Sequence, residues 1–384
     1  MARSVDFELP AEGPGSQTAL DFTTTEEALS EIAPPTAAAE LPDAPAAAPV
    51  EPAAEVAAPA GDSLPAPAPD APAPDAPMPV APMPVAPVSA EAAAAPHWLM
   101  QRLADFALLM RLDRPIGTWL LLWPTLWALW IASSGHPQPR LLVIFVLGTV
   151  LMRSAGCVIN DLWDRDIDPH VRRTRTRPLA ARRVTPAEAL ALFATLLGGA
   201  FLLVLQLNAL CLKLAFIGAA LTATYPLFKR FFAIPQLYLG LCFAWGVPMA
   251  YAAELGFVPR AGWVFMLAAV VWAGVYDTFY AMADRPDDLR LGLKSSAITF
   301  ADMDLLMIGA MQLMVLAALL FGGRLMEFDA PYYWTLAIAA ACFAWQQWLA
   351  RKRDADGCMQ AFHNNNYVGI LVLAGVILQY SAQR

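Results

Sequence analysis

Nine separate stretches of this chain, each about 20 residues long and mainly apolar, constrain its fold more than any other feature. They fall near 115–133, 140–159, 186–206, 209–228, 233–253, 261–281, 298–321, 331–350 and 365–382, each bounded by charges or by Pro and Gly. A helix rises about 1.5 Å per residue, so about 20 residues match the ~30 Å hydrocarbon core of a bilayer. Lipid offers backbone N–H and C=O groups no partners, which leaves helices as the form for such runs. The sequence therefore predicts an all-α polytopic membrane protein, with about nine transmembrane helices around a central cavity. With 58% apolar and 15% charged residues, it lies outside the range of soluble globular enzymes.

These runs all lie beyond residue 96, and the chain before that point is different in kind. Residues 1–96 hold 20 of the 33 prolines, no Trp or Tyr, and one basic residue, Arg3, against fifteen acidic ones. Prolines at every second or third position remove backbone donors and fix φ, while Ala and Asp give little surface to bury. The segment reads as a disordered, acidic, polyproline-like tail, and residues 97–384 as the membrane domain. The start of the chain lacks the charged and apolar order of a secretory signal. Net charge divides accordingly, −14 for the tail and +6 for the rest.

Basic residues give the spans a direction. With the N-terminus cytoplasmic, the inner connections hold eighteen Lys and Arg and the outer ones hold four, namely Arg140, Arg260, Arg324 and Arg384. This asymmetry predicts an integral protein of the bacterial inner membrane, with the N-terminus and polar loops in the cytoplasm and the C-terminus outside.

Two inner connections carry the chemistry. The first begins "NDLWDRDID", with Asn160, Asp161, Asp164, Asp166 and Asp168. The second, in "YDTFYAMADRPDDLRLGLKS", supplies Asp277, Asp284, Asp287, Asp288, Arg290 and Lys294. Spacings of three and four place each acidic set on one face of a helical extension. Like charges there repel, so a counter-cation is expected. Mg²⁺ fits, because it binds few carboxylates and takes its other ligands from water and substrate phosphates. Two such clusters flanked by Arg and Lys would hold a diphosphate, and a hydrophobic helical cavity behind them would hold a long apolar tail.

At these residues the sequence resembles the UbiA-type intramembrane aromatic prenyltransferases, and within them the branch that prenylates 4-hydroxybenzoate in ubiquinone biosynthesis. The likeness covers about residues 100–384 and rests on four blocks, "RLDRPIGTWLLLWPTLWAL", "GCVINDLWDRDIDPHVRRTRTRPLA", "YPLFKRFFAIPQLYLGLCFAWGVPMAY" and "YDTFYAMADRPDDLRLGLKSSAITF". It implies Mg²⁺-dependent transfer of a polyprenyl group from polyprenyl diphosphate to the ring carbon ortho to the acceptor's hydroxyl, within the lipid bilayer. It also implies Mg²⁺-diphosphate ligands at Asn160, Asp161, Asp164, Asp168, Asp284 and Asp288, with Asp164 and Asp284 central to catalysis. Arg111, Lys229, Arg230 and Lys294 would bind diphosphate or the acceptor's carboxylate. Arg suits a bidentate carboxylate clamp, which makes Arg230 the expected benzoate anchor, with a topological role for it and Lys229 as the alternative. Asp166 and Asp287 lie beside the pattern, as supporting or solvated groups. The arginines of 172–183 read as inner-face charge, Arg177 being the least settled of them.

Asp277 stands late in the sixth span beside Tyr276. An ionisable residue there is costly without a partner, so it is a functional candidate, either polarising the phenol or pairing with a nearby Arg. The five cysteines are scattered and odd in number, which suggests packing roles. His97, His136, His170 and His363 have no zinc-binding spacing. The "NNN" at 364–366 reads as a polar start to the last span. No GxGxxG motif for flavin or nicotinamide occurs, no feature points to haem or nucleic acid, and protein partners are unspecified.

Three other readings stay open. Related enzymes prenylate naphthoate, homogentisate or haem. A CDP-alcohol phosphotransferase also pairs Mg²⁺ with a diphosphate, but expects DG and AR after its first aspartates. A secondary transporter would carry ionisable residues near mid-span and matched broken helices.

Overall fold

Capping and proline placement set where the apolar runs become helices. The computed structural model describes residues 94–170, 174–232, 234–292 and 294–383, so the expected tail over 1–96 falls almost wholly outside the described residues. Twelve α-helices occur within them: α1 (Ala94–Leu109), α2 (Ile116–Ala132), α3 (Pro139–Trp163), α4 (Pro186–Val204), α5 (Ala209–Phe231), α6 (Pro235–Ala244), α7 (Gly246–Leu255), α8 (Arg260–Leu291), α9 (Ser296–Phe300), α10 (Asp304–Leu325), α11 (Ala330–Ala350) and α12 (Ala355–Ala382). Prolines at the first helical turn start α3, α4, α6 and α11, where the missing N–H costs nothing. At α4, Thr185 and Glu188 form a reciprocal capping box.

Five helical stretches are long and apolar enough to cross a membrane: α3, α4, α8, the stretch Ser296–Leu325 that ends in α10, and α12. Shorter apolar helices are α2 and Ala209–Tyr225 of α5. The run expected as one span at 233–253 is broken at Trp245 into α6 and α7. Pro248 has no N–H for the carbonyl of Ala244, so a helical hydrogen bond is missing at this break. The expected boundary at residue 281 also moves: α8 continues to Leu291, where Gly292 caps it at φ 64°. Its 32 residues rise about 48 Å, enough to carry Asp284, Asp287 and Asp288 on the helix itself.

The last span differs from expectation too. α12 begins at Ala355, where Asp354 accepts from the Gly357 N–H at 3.0 Å, so Asn364, Asn365 and Asn366 are interior residues rather than a start. Their amides are partnered. Trp272 donates to Asn365 at 2.9 Å, Trp123 to Asn366 at 2.8 Å, and Gln346 to Asn364 at 3.0 Å. Gln312 donates in turn to Gln346 at 3.0 Å, and Gln347 to Gln312 at 2.9 Å. Lipid drives helix association weakly, because tails are as apolar as Leu, so such bonds and close backbone approach do more of the holding. Gly240 of α6 shows the second device, since a Cβ there would run into the Val270 carbonyl of α8.

The main core joins α2, α7, α8, α10, α11 and α12, with Trp127, Trp272, Tyr276 and Phe279 almost fully buried. A smaller cluster of Leu109, Val158, Val184 and Leu196 ties α1, α3 and α4. A third, of Cys211, Leu214 and Ala252, ties α5 to α7. Between these clusters lies the cavity.

Candidate active site

A cavity of about 1740 Å³ is lined by residues of α2 to α8 and the connections after α1, α3 and α8, with Leu108 of α1 and Met359, Phe362 and His363 of α12. Its chemistry changes along α3. Ile144, Phe145 and Gly148 line it in the first half of that helix, Arg153 and Cys157 further on, and Asn160, Asp161 and Asp164 at the end. On α8, Tyr276 and Asp277 are followed by Asp284, Asp287 and Asp288. Phe201, Val204 and Phe216 add apolar wall from α4 and α5.

Both acidic sets sit at helix C-termini, the negative ends of the helix dipoles, which adds to their mutual repulsion and strengthens the demand for cations. Part of that demand is met by arginine. Arg111 Nη2 donates to both oxygens of Asp161, at 2.8 and 2.9 Å. Arg177 Nη1 donates to Asp161 at 3.0 Å and to Asp168 at 2.8 Å. Asn160 donates to Asp164 at 3.2 Å. α3 ends at Trp163, but the Asp168 N–H reaches the Asp164 carbonyl at 2.8 Å, so one helical turn persists and brings these two carboxylates to one face.

The structure thus brings Asn160, Asp161, Asp164, Asp168, Asp277, Asp284, Asp288, Arg111 and Lys294 to one cavity. Lys229 and Arg230 lie on the last turn of α5, and their side chains fall outside the described residues. Asp166 is exposed and 3.6 Å from Arg165, a solvated group, whereas Asp287 lines the cavity and pairs with Arg290 at 3.9 Å. Among the described residues no three His, Cys, Asp or Glu side chains converge closely enough to cage a metal alone. An all-oxygen donor set spread over two helix ends instead fits a hard cation that completes its shell from water and a phosphate ligand.

Two cavity residues stand apart from the sequence-based set. Arg177, placed with the inner-face charges, bridges two motif carboxylates. Arg153 lies seven residues, two helical turns, before Asn160 and so on the same face of α3. Its guanidinium packs against Gly117, where a Cβ would come within 2.5 Å of Nη2, and lies 5.7 Å from the Phe243 ring centre. An arginine inside an apolar run was the available signal.

Residues 121–369 match the model of the UbiA prenyltransferase family. The chain belongs to this family. Among its curated UbiA relatives, the 4-hydroxybenzoate octaprenyltransferase of Aeromonas hydrophila is 54% identical over 272 residues, covering 71% of this chain and 95% of that one. The enzyme of the same name from Pseudomonas syringae is 48% identical over 285 residues, 74% of this chain and 96% of its own. A solved UbiA homolog from Aeropyrum pernix, in its apo form, has a TM-score of 0.59 at 25% identity, covering 67% of this chain and 97% of that one. A UbiA homolog from Archaeoglobus fulgidus bound to GPP and Mg²⁺ shares the fold, with a TM-score of 0.57 at 16% identity over 71% of this chain and 99% of that one.

Proposed function

We propose that this UbiA-family chain transfers a polyprenyl group from polyprenyl diphosphate to the ring carbon ortho to the hydroxyl of 4-hydroxybenzoate, releasing diphosphate, as a step of ubiquinone biosynthesis. The observation that carries this is the meeting of two oxygen-donor clusters, from α3 and α8, at the polar end of one cavity whose remaining wall is largely apolar. Relatives named for this reaction, alike over nearly their whole length, support the choice of acceptor.

Asn160, Asp164, Asp168, Asp284 and Asp288 would hold Mg²⁺, which supplies positive charge opposite the departing diphosphate. Arg111, Arg177 and Lys294 line the same end and would donate hydrogen bonds to its oxygens as the allylic C–O bond breaks and the electron pair leaves with oxygen. The apolar walls keep water from the resulting allylic cation. The ring carbon would then form the new C–C bond, and its proton would pass to the released diphosphate or to water, restoring aromaticity. Arg153, on the cavity wall two helical turns before Asn160, would hold the acceptor's carboxylate, the part expected of Arg230. Asp277, beside Tyr276 on the cavity wall, would accept the hydrogen bond of the phenol hydroxyl.

The same reading extends to the chain's placement. Residues 97–384 would form the catalytic unit in a bacterial inner membrane, with nine spans, a cytoplasmic N-terminus and active site, and the 1–96 segment as an appendage. In support, α2, α5, α11 and the α6–α7 pair coincide with the four expected spans outside the five long ones.

Prenyl transfer in proteoliposomes, with labelled 4-hydroxybenzoate and a polyprenyl diphosphate, tests the proposal. A lipid-extractable product is expected. Activity on a different aromatic acceptor alone would overturn the choice of acceptor but keep the chemistry.

A further inference from the structure

We infer that Asp161 is a positioning residue, one that holds the guanidinium groups of Arg111 and Arg177 ready for the diphosphate and does not itself bind the metal. The inference rests on the transferase reading above.

The geometry differs from what a ligand needs. A carboxylate offers about four lone-pair sites, and those of Asp161 already receive three hydrogen bonds from two cations. The side chain is 1% exposed, against 19% for Arg111 and 17% for Arg177, so at the cavity wall all three share, the carboxylate is covered by the two arginines. A Mg²⁺ ion on the same oxygens would have to sit beside two positive charges in a poorly solvated place. Successive helical residues are rotated by about 100°, so Asp161 sits about 60° around α3 from Asp164, and its carboxylate is taken up by Arg111 in the chain that follows α1.

Both arginines are fixed from their other sides. Arg111 follows α1 in the left-handed region, at φ 58°, and its Nη1 donates to the Leu108 carbonyl at 3.2 Å. The same Nη1 of Arg177 that meets Asp161 also holds Asp168. Among the described residues Arg177 uses only that nitrogen for its ion pairs. A guanidinium has five donors, and the others remain for an incoming anion. The buried Asp161 carboxylate between two guanidiniums keeps both of them arranged in advance for a charged leaving group.

Calorimetry with inorganic diphosphate over a series of Mg²⁺ concentrations separates the two roles. For Asp161→Asn, diphosphate affinity should fall about tenfold while the half-saturating Mg²⁺ concentration stays within about twofold of wild type. For Asp164→Asn, the half-saturating Mg²⁺ concentration should instead rise about tenfold. In an Arg111→Gln, Arg177→Gln background, Asp161→Asn should add less than about twofold, because its partners are gone. In turnover, Asp161→Asn should raise KM for the prenyl diphosphate and leave KM for the aromatic acid unchanged. An Asp161→Asn protein that needs more Mg²⁺, as Asp164→Asn does, overturns the inference, as does an unchanged diphosphate affinity or a full effect in the background without arginines. Where Asp161→Asn does not fold, Arg111→Lys and Arg177→Lys test the pairing from the other side. Both should weaken diphosphate binding, and wild-type binding by both would overturn it. A wild-type protein that binds no diphosphate at any Mg²⁺ level would overturn the transferase reading itself.

Discussion

Arg353 Nε lies 2.9 Å from one oxygen of Asp304 and 3.1 Å from the other, and that carboxylate has no solvent exposure. Arg285, the neighbour of Asp284 on α8, approaches Asp304 at 3.6 Å. Asp304 thus links the start of α10 to the α11–α12 turn and to the acidic end of α8. Replacing Arg353 with Gln leaves a buried charge with weaker partners. Water reaches Arg353, whose side chain is 40% exposed, so the expected loss is about 2 kcal/mol rather than the larger cost of a fully buried pair. Thermal unfolding in detergent measures it, and an unchanged melting temperature would refute it.

This contribution should not vary with pH in the working range. Hydrogen bonding to Asp304 pushes the Arg353 guanidinium further above its ordinary value. A raised value stabilises the fold fully below the ordinary pKa, and the benefit is lost only as pH climbs through the raised one. The difference in melting temperature between wild type and Arg353→Gln should therefore be flat between about pH 6 and 9.

Removal of divalent metal by EDTA should abolish prenyl transfer, and added Mg²⁺ should restore it. Asp164→Ala should lower kcat by about 100-fold or more while the melting temperature of the metal-free protein changes little. Retention of turnover in Asp164→Ala would exclude that residue from the metal site.

Arg153→Gln should raise KM for 4-hydroxybenzoate by about 10- to 100-fold, the worth of a charge-assisted bond, with little change in KM for the prenyl diphosphate. Gly117→Ala should act in the same direction without touching the charge, because the new methyl would displace the guanidinium. Steady-state kinetics in each substrate decides. A rise in the diphosphate KM alone would place Arg153 at the wrong end of the cavity.

Gly240→Ala should destabilise the fold by about 2 kcal/mol, since the obstacle is a backbone carbonyl that cannot swing aside. Gly148→Ala, which meets open space, serves as the control. Equal melting temperatures for the two variants would contradict the close approach of α6 and α8.

Much of the site was legible before the structure. The acidic residues announced themselves by spacing and Arg111 by the family-like block it stands in, and the cavity gathers them. Arg177 was hidden by its neighbours, because an arginine among arginines on an inner loop looks like topological charge, and only the turn at Asp168 shows it reaching Asp161 and Asp168. Arg153 was hidden by the opposite effect, one charge inside a run otherwise apolar enough to span. Hydropathy also misplaced the start of α12, since the polar turns before Tyr367 look like loop until Trp123, Trp272 and Gln346 are seen to satisfy their amides. Pro248 lies just after the break between α6 and α7, but Pro124 and Pro286 lie inside unbroken helices, so proline alone does not locate a break in an apolar run.

The three asparagines of α12 also impose an order on biosynthesis. They accept or extend hydrogen bonds from α2, α8 and α11, all of which leave the ribosome earlier. Until α12 arrives, the indole N–H groups of Trp123 and Trp272 have no asparagine to meet. A chain that ends before α12 would leave both donors without these partners inside the bilayer.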